Sequence, residues 1–224
     1  YEAALFKAAK EGDLEQVNET LVSSLNDSFN NLNITDRYGM TPLHWAARNG
    51  HHEIVHLLLC HKTVDSSKLL DKNKKTPFHW ALLKNHIKSV KIFIERQADY
   101  IYTGQHKVAI SKWAALRLVT ILNHTALFDF FLELMDDDDD DLNAVDWENM
   151  TIFNWAAKQL RLNFIKILIS LPDLDFNFPD RHGMSPLLNS VSNFRSENRF
   201  ELVQFLLDQP KGVINPTTTN LLGQ

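Results

Sequence analysis

The sequence predicts an all-α solenoid of about six helix-turn-helix units, and three observations carry that expectation. The first is internal repetition. Asp36-Arg37-Tyr38-Gly39-Met40-Thr41-Pro42-Leu43-His44-Trp45-Ala46-Ala47 returns as Asp71-Lys72-Asn73-Lys74-Lys75-Thr76-Pro77-Phe78-His79-Trp80-Ala81-Leu82, and again from Asp146 to Ala157. A shorter copy runs from Asp180 to Leu188. Thr41 and Thr76 are 35 residues apart and Thr151 and Ser185 are 34 apart, a period that marks stacked repeats. The second is the Thr-Pro pair, a hydroxyl N-cap followed by a proline in the first helical turn, where its missing N–H costs nothing. The third is the pair of short apolar stretches that follows each cap, which suits two antiparallel helices unable to bury their apolar faces alone.

Taken in order, residues 1–35 hold Leu5 to Val17 in a helix, glycine, helix rhythm without a Thr-Pro anchor, which fits a polar N-terminal capping unit. Residues 36–70 form the most complete unit: Thr41-Pro42 starts a helix, Ala46-Ala47 allow close approach, and Gly50 ends the helix in a left-handed conformation. Ile54, Val55, Leu57, Leu58 and Leu59 then give the second helix its apolar face. Residues 71–103 repeat this plan. Residues 104–145 diverge: Ala109-Ile110-Ser111-Lys112 stands where the cap belongs, and Trp113-Ala114-Ala115 betrays the unit. Its first helix is expected to run long, through Leu122, with Thr125 to Met135 as the second. Residues 146–179 and 180–210 complete the set, the last with an enlarged inter-helix turn at Phe194 to Arg199. All of 1–224 reads as a single domain, with 211–224 a tail or the start of a further unit.

The pattern Asp-x-x-Gly-x-Thr-Pro-Leu-His-x-Ala-Ala, followed by Gly50-His51-His52-Glu53-Ile54-Val55-His56-Leu57-Leu58-Leu59, resembles the ankyrin repeat. Three anchors recur in register across nearly the whole chain. The resemblance implies a protein-binding scaffold whose partner lies across the turn tips, or fingers, and the exposed face of the first helix of each unit. Carried across position by position, the implied contacts are Arg37, Tyr38 and Met40 on one finger and Lys72, Asn73 and Lys75 on the next. They continue with Trp147, Glu148 and Met150, then Arg181, His182 and Met184. The implied helix positions are Arg48 and Asn49, Leu83 and Lys84, and Lys158 and Gln159.

Composition narrows the alternatives. Lys plus Arg is 23 and Asp plus Glu is 28, but six of the acids form the unbroken run Asp136–Asp141, and without it the balance is +1 (23 against 22). A near-neutral body lacks the basic footprint of a general nucleic-acid binder. The single Cys60 excludes an internal disulfide framework and fits a reducing compartment, and no apolar stretch is long enough to span a membrane. The expected state is a cytoplasmic monomer that needs no cofactor, in this chain's own cell or in a host cytoplasm after secretion. Abundant Asn, Lys and Ile with little Gly resembles the ankyrin arrays of effector proteins that intracellular bacteria inject into host cells. On that alternative the chain is a targeting module of a larger multidomain enzyme or secreted effector. The start at Tyr1 reads as a piece of something longer.

Four features of the sequence invite a chemical reading. His52 and His56 share a helix face and could bind zinc, but His44 and His51 stand where the repeat uses histidine for hydrogen bonds, and no second thiol or carboxylate pair completes a site. The aspartate run fails as a calcium loop, because its sixth position is Asp141 and its twelfth is Trp147; a solvated loop dispensable for folding is the expectation. Trp45, Trp80, Trp113 and Trp155 occupy one equivalent position, expected to be inter-repeat core with each indole N–H bonded to a neighbouring turn, a stacking platform being the alternative. Trp147, in a turn beside Asp146 and Glu148, reads as a binding hot spot or as packing for the next finger. No nucleophile, phosphate loop or metal set emerges, so the fragment is expected not to be an enzyme. Finally, Val213-Ile214-Asn215 resembles the lead-in to another finger, and the apolar Val203, Phe205, Leu206 and Leu207 call for a cover from the tail, another repeat or a partner.

Overall fold

In the computed structural model of the chain, the described residues are 2–24, 32–61, 64, 69–96, 112–135, 141–192, 198–217 and 220. They contain twelve helices and no strand; an isolated bridge joins Lys211 to Ile214. The chain divides into two compact units, Tyr1–Ser111 and Lys112–Gln224. Unit 1 holds α1 (Glu2–Glu11), α2 (Leu14–Ser24), α3 (Pro42–Asn49), α4 (His52–Leu59), α5 (Pro77–Leu83) and α6 (Ile87–Arg96). Unit 2 holds α7 (Lys112–Leu122), α8 (Thr125–Glu133), α9 (Ile152–Lys158), α10 (Leu162–Leu168), α11 (Pro186–Ser192) and α12 (Asn198–Leu207). Each consecutive pair is a hairpin. First helices pack on first helices, α1 on α3 on α5 in unit 1 and α7 on α9 on α11 in unit 2.

The caps explain why the helices start where they do. Thr41 Oγ1 accepts the His44 N–H, and Nδ1 of His44 accepts the Thr41 N–H at 3.0 Å, a reciprocal capping box with Pro42 in the first turn. Thr76 and His79 repeat it around Pro77. In unit 2 Thr151 caps α9 through the Asn154 N–H and Ser185 caps α11 through the Leu188 N–H. Gly50 ends α3 at φ 81°, and the His86 ring passes 2.6 Å from where a Cβ would stand, so no side chain fits there. At the corresponding helix ends Asn85, Asn123 and Leu160 take the same left-handed conformation without being glycine. For Leu160 this costs roughly 1 kcal/mol.

Each unit is filled by side chains from both helices of every hairpin. In unit 1 Phe78 meets Phe93 edge-on at 5.8 Å, and both are fully buried. In unit 2 Phe128 stacks on Phe164 at 4.3 Å, with Phe131 and Phe153 also buried. The first helix of the divergent fourth repeat does run to Leu122. The finger of that repeat, residues 104–111, and the enlarged turn at 193–197 lie outside the described residues.

Candidate functional site: the finger and first-helix face

Four fingers are built the same way, each around one aspartate. Asp36 Oδ1 accepts the Tyr38 and Met40 N–H groups at 2.8 and 2.9 Å, and its Oδ2 accepts the Trp45 indole N–H at 3.0 Å. Asp71 does the same with Asn73, Lys75 and Trp80, and Asp146 with Glu148, Met150 and Trp155. Asp180 takes the His182 and Met184 amides, with Asn189 replacing the indole. Charge-assisted bonds of this kind each contribute roughly 1.5–3 kcal/mol, so the aspartate ties the turn to the helix behind it. The tightness of the turn forces its fourth residue to positive φ: Gly39 and Gly183 at 74°, but also Lys74 at 57° and Asn149 at 58°. Successive fingers are linked through their backbones, Lys72 N–H to the Tyr38 carbonyl and Arg181 N–H to the Glu148 carbonyl.

The histidines hold repeats together. His44 Nε2 lies 3.0 Å from the Lys75 carbonyl, His51 Nε2 3.1 Å from that of Lys10 and His86 Nε2 3.0 Å from that of Arg48. Arg161 takes this last role in unit 2, donating to the Ile121 carbonyl. Burial lowers the pKa of His44, against the opposing pull of the Lys75 carbonyl, and lowers that of His79 to about 4, with Lys75 adding to the effect. His56 lies on the opposite side, against Arg96, with Cys60 Sγ 3.8 Å from its Nδ1.

The tryptophans differ from expectation. Trp45, Trp80, Trp113 and Trp155 are half-buried rather than enclosed. In three of them the N–H bonds the aspartate of its own finger, nine residues earlier, and not a neighbouring turn; for Trp113 no acceptor stands among the described residues. Their outer faces carry cations. Lys10 stands 4.8 Å from the Trp45 ring, Arg48 lies over both Trp45 and Trp80 at 5.1 and 4.7 Å, and Arg117 over both Trp113 and Trp155 at 5.6 Å. Lys158 stands over Trp155 at 5.2 Å. Each such contact contributes roughly 0.5–2 kcal/mol.

Of the residues assigned to partner contact, Arg37, Tyr38, Lys72 and Asn73 are exposed on the first two fingers, and Asn49 and Lys84 are exposed at the ends of α3 and α5. Arg48, Lys75 and Leu83 are half-buried beside them. Met40 is 2% exposed and Met150 is fully buried, so both side chains face the core rather than the surface on which a partner would lie. Their counterpart Met184 stays half-buried. In unit 2 Trp147 is 75% exposed and lies under the Arg181 guanidinium at 4.9 Å, with His182 exposed beside Arg181. Glu148 bridges Lys158 at 3.6 Å and Arg181 at 3.4 Å, while Gln159 is half-buried at the end of α9. Sequence reasoning missed Lys10 and Arg117; a cation one turn from a tryptophan on the same helix face is the signal that would have found Arg117.

Residues 136–140 lie outside the described residues, but Asp141 is no bystander: its Oδ1 accepts the Asn143 N–H and so opens the fifth finger. Asn143 in turn bonds the Asp173 carbonyl and the Asp175 N–H, and Asn177 repeats this pair with Val213 and Asn215. The stretch from Val213 therefore docks as the lead-in to a finger. Within the sixth repeat Leu206 is buried, Val203 and Phe205 are half-buried and Leu207 is exposed. No described helix is long and apolar enough to cross a membrane.

Comparison with known proteins agrees with this geometry. Residues 5–103 match the family model described as ankyrin repeats in three copies. No curated protein matches the chain. Among solved structures, the ankyrin repeat domain of Bcl-3, described as a unique member of the IkappaB protein family, superposes with a TM-score of 0.72 at 19% identity, over 99% of this chain and 90% of that one. At that identity the likeness speaks to fold. The three N-terminal repeats belong to the ankyrin-repeat family, and the chain as a whole has the ankyrin-repeat fold.

Proposed function

We propose that the chain is a non-catalytic protein-binding module, acting as a monomer, whose partner lies on the finger tips and the exposed face of the first helices. Ankyrin repeats are in general protein–protein interaction modules. The observation that carries the assignment is found within each unit by itself: half-buried tryptophans with cations over their rings, Trp45 and Trp80 in unit 1 and Trp113 and Trp155 in unit 2, and an exposed aromatic on a finger, Tyr38 in the first and Trp147 in the second. Aromatic and arginine side chains held rigidly at a surface lose little entropy on binding and dominate interface energetics. In unit 1 the second helices α2, α4 and α6 present Glu15, Glu19, Glu53 and Glu95 and no exposed aromatic. In unit 2 Phe200 of α12 is exposed under Arg199 and Phe205 lies under Lys166, so the contrast between the two faces is carried by unit 1.

The test is localisation by photo-crosslinking. A photoreactive amino acid is placed in turn at Tyr38, Asn73 and Trp147, and at Glu19, Glu53 and Glu95 as controls. Adducts with one protein from the finger positions alone support the proposal. Adducts concentrated at the control positions would move the interface to the other face, and light scattering that gives a dimer mass would remove the monomer.

A further inference from the structure

We propose that the Trp45–Arg48–Trp80 clamp of unit 1 is a carboxylate-binding site that recognises an extended acidic peptide. This rests on the protein-binding reading above and names the chemistry of the partner at one part of that face.

Arg48 lies between two indole rings, 5.1 Å from one and 4.7 Å from the other. A guanidinium that lies over two rings has less freedom than one in solvent, and its planar fork of N–H donors suits bidentate binding of a carboxylate. What that fork meets within the chain is the Met40 thioether at 3.9 Å, a weak acceptor, and no described carboxylate pairs with it. The chain contains its own precedent. Arg117 is held between Trp113 and Trp155, and its Nη1 lies 3.3 Å from Asp146 Oδ2. In unit 2 a clamp of this kind takes a carboxylate; in unit 1 the carboxylate is missing.

The surroundings fit an acidic peptide better than a lone anion. A cleft of about 360 Å³ opens at the clamp, with Tyr38, Asn73 and the two indoles among its walls. A second cleft of about 640 Å³ shares Tyr38 and Trp45 with it and is lined further by Phe6, Lys10 and Arg37. Together they make one groove across neighbouring repeats, wider than a single side chain and walled by aromatic surface suited to the apolar parts of a peptide. The walls carry both signs, Lys7, Lys10, Arg37 and Arg48 against Glu11, Asp36 and Asp71, but the carboxylates are already engaged. Asp36 and Asp71 accept backbone and indole N–H groups and Glu11 lies 4.0 Å from Lys7, whereas Lys10, Arg37 and Arg48 pair with no described carboxylate. Cations without a partner in a groove attract ligands of the opposite charge.

The experiment is a selection of short random peptides displayed on phage against the immobilised full chain, with synthetic copies of the winners titrated by calorimetry. Enrichment in Asp and Glu is expected. Each winner should lose about 10-fold or more in affinity on Arg48→Gln, on Arg48→Lys, and when its own key Glu is changed to Gln, because all three remove the paired bonds. Raising salt from about 0.1 to 0.5 M should weaken it further. Winners that are neutral or basic, or acidic winners whose affinity Arg48→Gln leaves within about 2-fold, overturn the proposal. Should Arg48→Gln fail to fold, the Glu→Gln exchange in the peptide reads the same contact on unaltered protein. Winners that bind but are lost only on Trp147→Ala sink this inference and leave the protein-binding reading standing. No enriched peptide, together with no crosslinked protein, sinks both.

Discussion

Arg48 in unit 1 and Arg117 in unit 2 are both held between a pair of tryptophans, yet one is paired with an aspartate and the other is not. The difference is one residue of helix. Arg48 follows its tryptophan by three positions and Arg117 by four, about 100° of rotation about the helix axis. That step carries the Arg117 guanidinium to the aspartate of the next finger and leaves Arg48 against Met40. One local motif thus becomes a structural ion pair in one unit and an open cationic edge in the other. Other cations on the fingers and first helices differ in the same sense: Lys158 and Arg181 of unit 2 converge on Glu148, while Lys72, Lys75 and Lys84 of unit 1 pair with no described carboxylate.

The comparison can be broken or sharpened by four measurements. The scale is set by Phe164→Ala, which removes a fully buried ring stacked on Phe128 and should cost about 3–5 kcal/mol in urea unfolding. A loss below about 1 kcal/mol would mean that unit 2 is not held by that pair. Next in size is the arginine contrast itself. Arg117→Gln leaves the nearly buried Asp146 carboxylate without its cation and should cost about 2–3 kcal/mol, less than a fully buried pair because the Arg117 side chain is 29% exposed. Arg48→Gln should cost less than about 1 kcal/mol. Equal losses would erase the distinction between structural and open arginines.

The third measurement is pH dependence. In unit 1 the cap histidines His44 and His79 are held neutral, Nδ1 accepting a backbone N–H, whereas Asn154 stands at that position in unit 2. Their folded pKa values are lowered, to about 4 for His79, so between the ordinary value near 6.5 and that point the unfolded chain binds more protons. Stability should be complete above about pH 6.5 and fall as pH drops toward 4. His79→Asn should flatten part of that slope, and an unchanged slope would remove His79 from it. The smallest effect concerns Asp141→Ala, which deletes a turn acceptor and should cost about 0.5–1 kcal/mol, against none for a Gly/Ser replacement of 136–140. Equal outcomes would return Asp141 to the solvated run.

Much of the fold was legible because each signal was local. Thr41-Pro42 and Thr76-Pro77 announce their caps within four residues, and the register of the repeats follows from them. What stayed hidden depends on contacts across the finger. Lys74, Asn149 and Leu160 adopt left-handed conformations that their side chains do not favour, because the closed turn or the packed helix end leaves no other path. Met40 and Met150 sit at positions that the family resemblance places outside, and their burial depends on packing against the neighbouring repeat, which the repeat pattern alone does not report. The candidate site was half legible. Arg48 followed from the resemblance, but that it lies between two indoles, and that Arg117 has an acid while it has none, depends on side-chain direction rather than residue type.

The paired hydrogen bonds that Asn177 makes with Val213 and Asn215 have a use in protein engineering. They copy those of Asn143 with Asp173 and Asp175, so the backbone from Val213 already stands in the register of a repeat. A designed repeat grafted in place of the residues after Asn215 would inherit both bonds and meet the half-buried Val203 and Phe205 on α12. Because stacked repeats gain stability from each new neighbour interface, such a graft would lengthen the binding face and raise stability together. The same junction marks where two arrays of this kind could be fused in register.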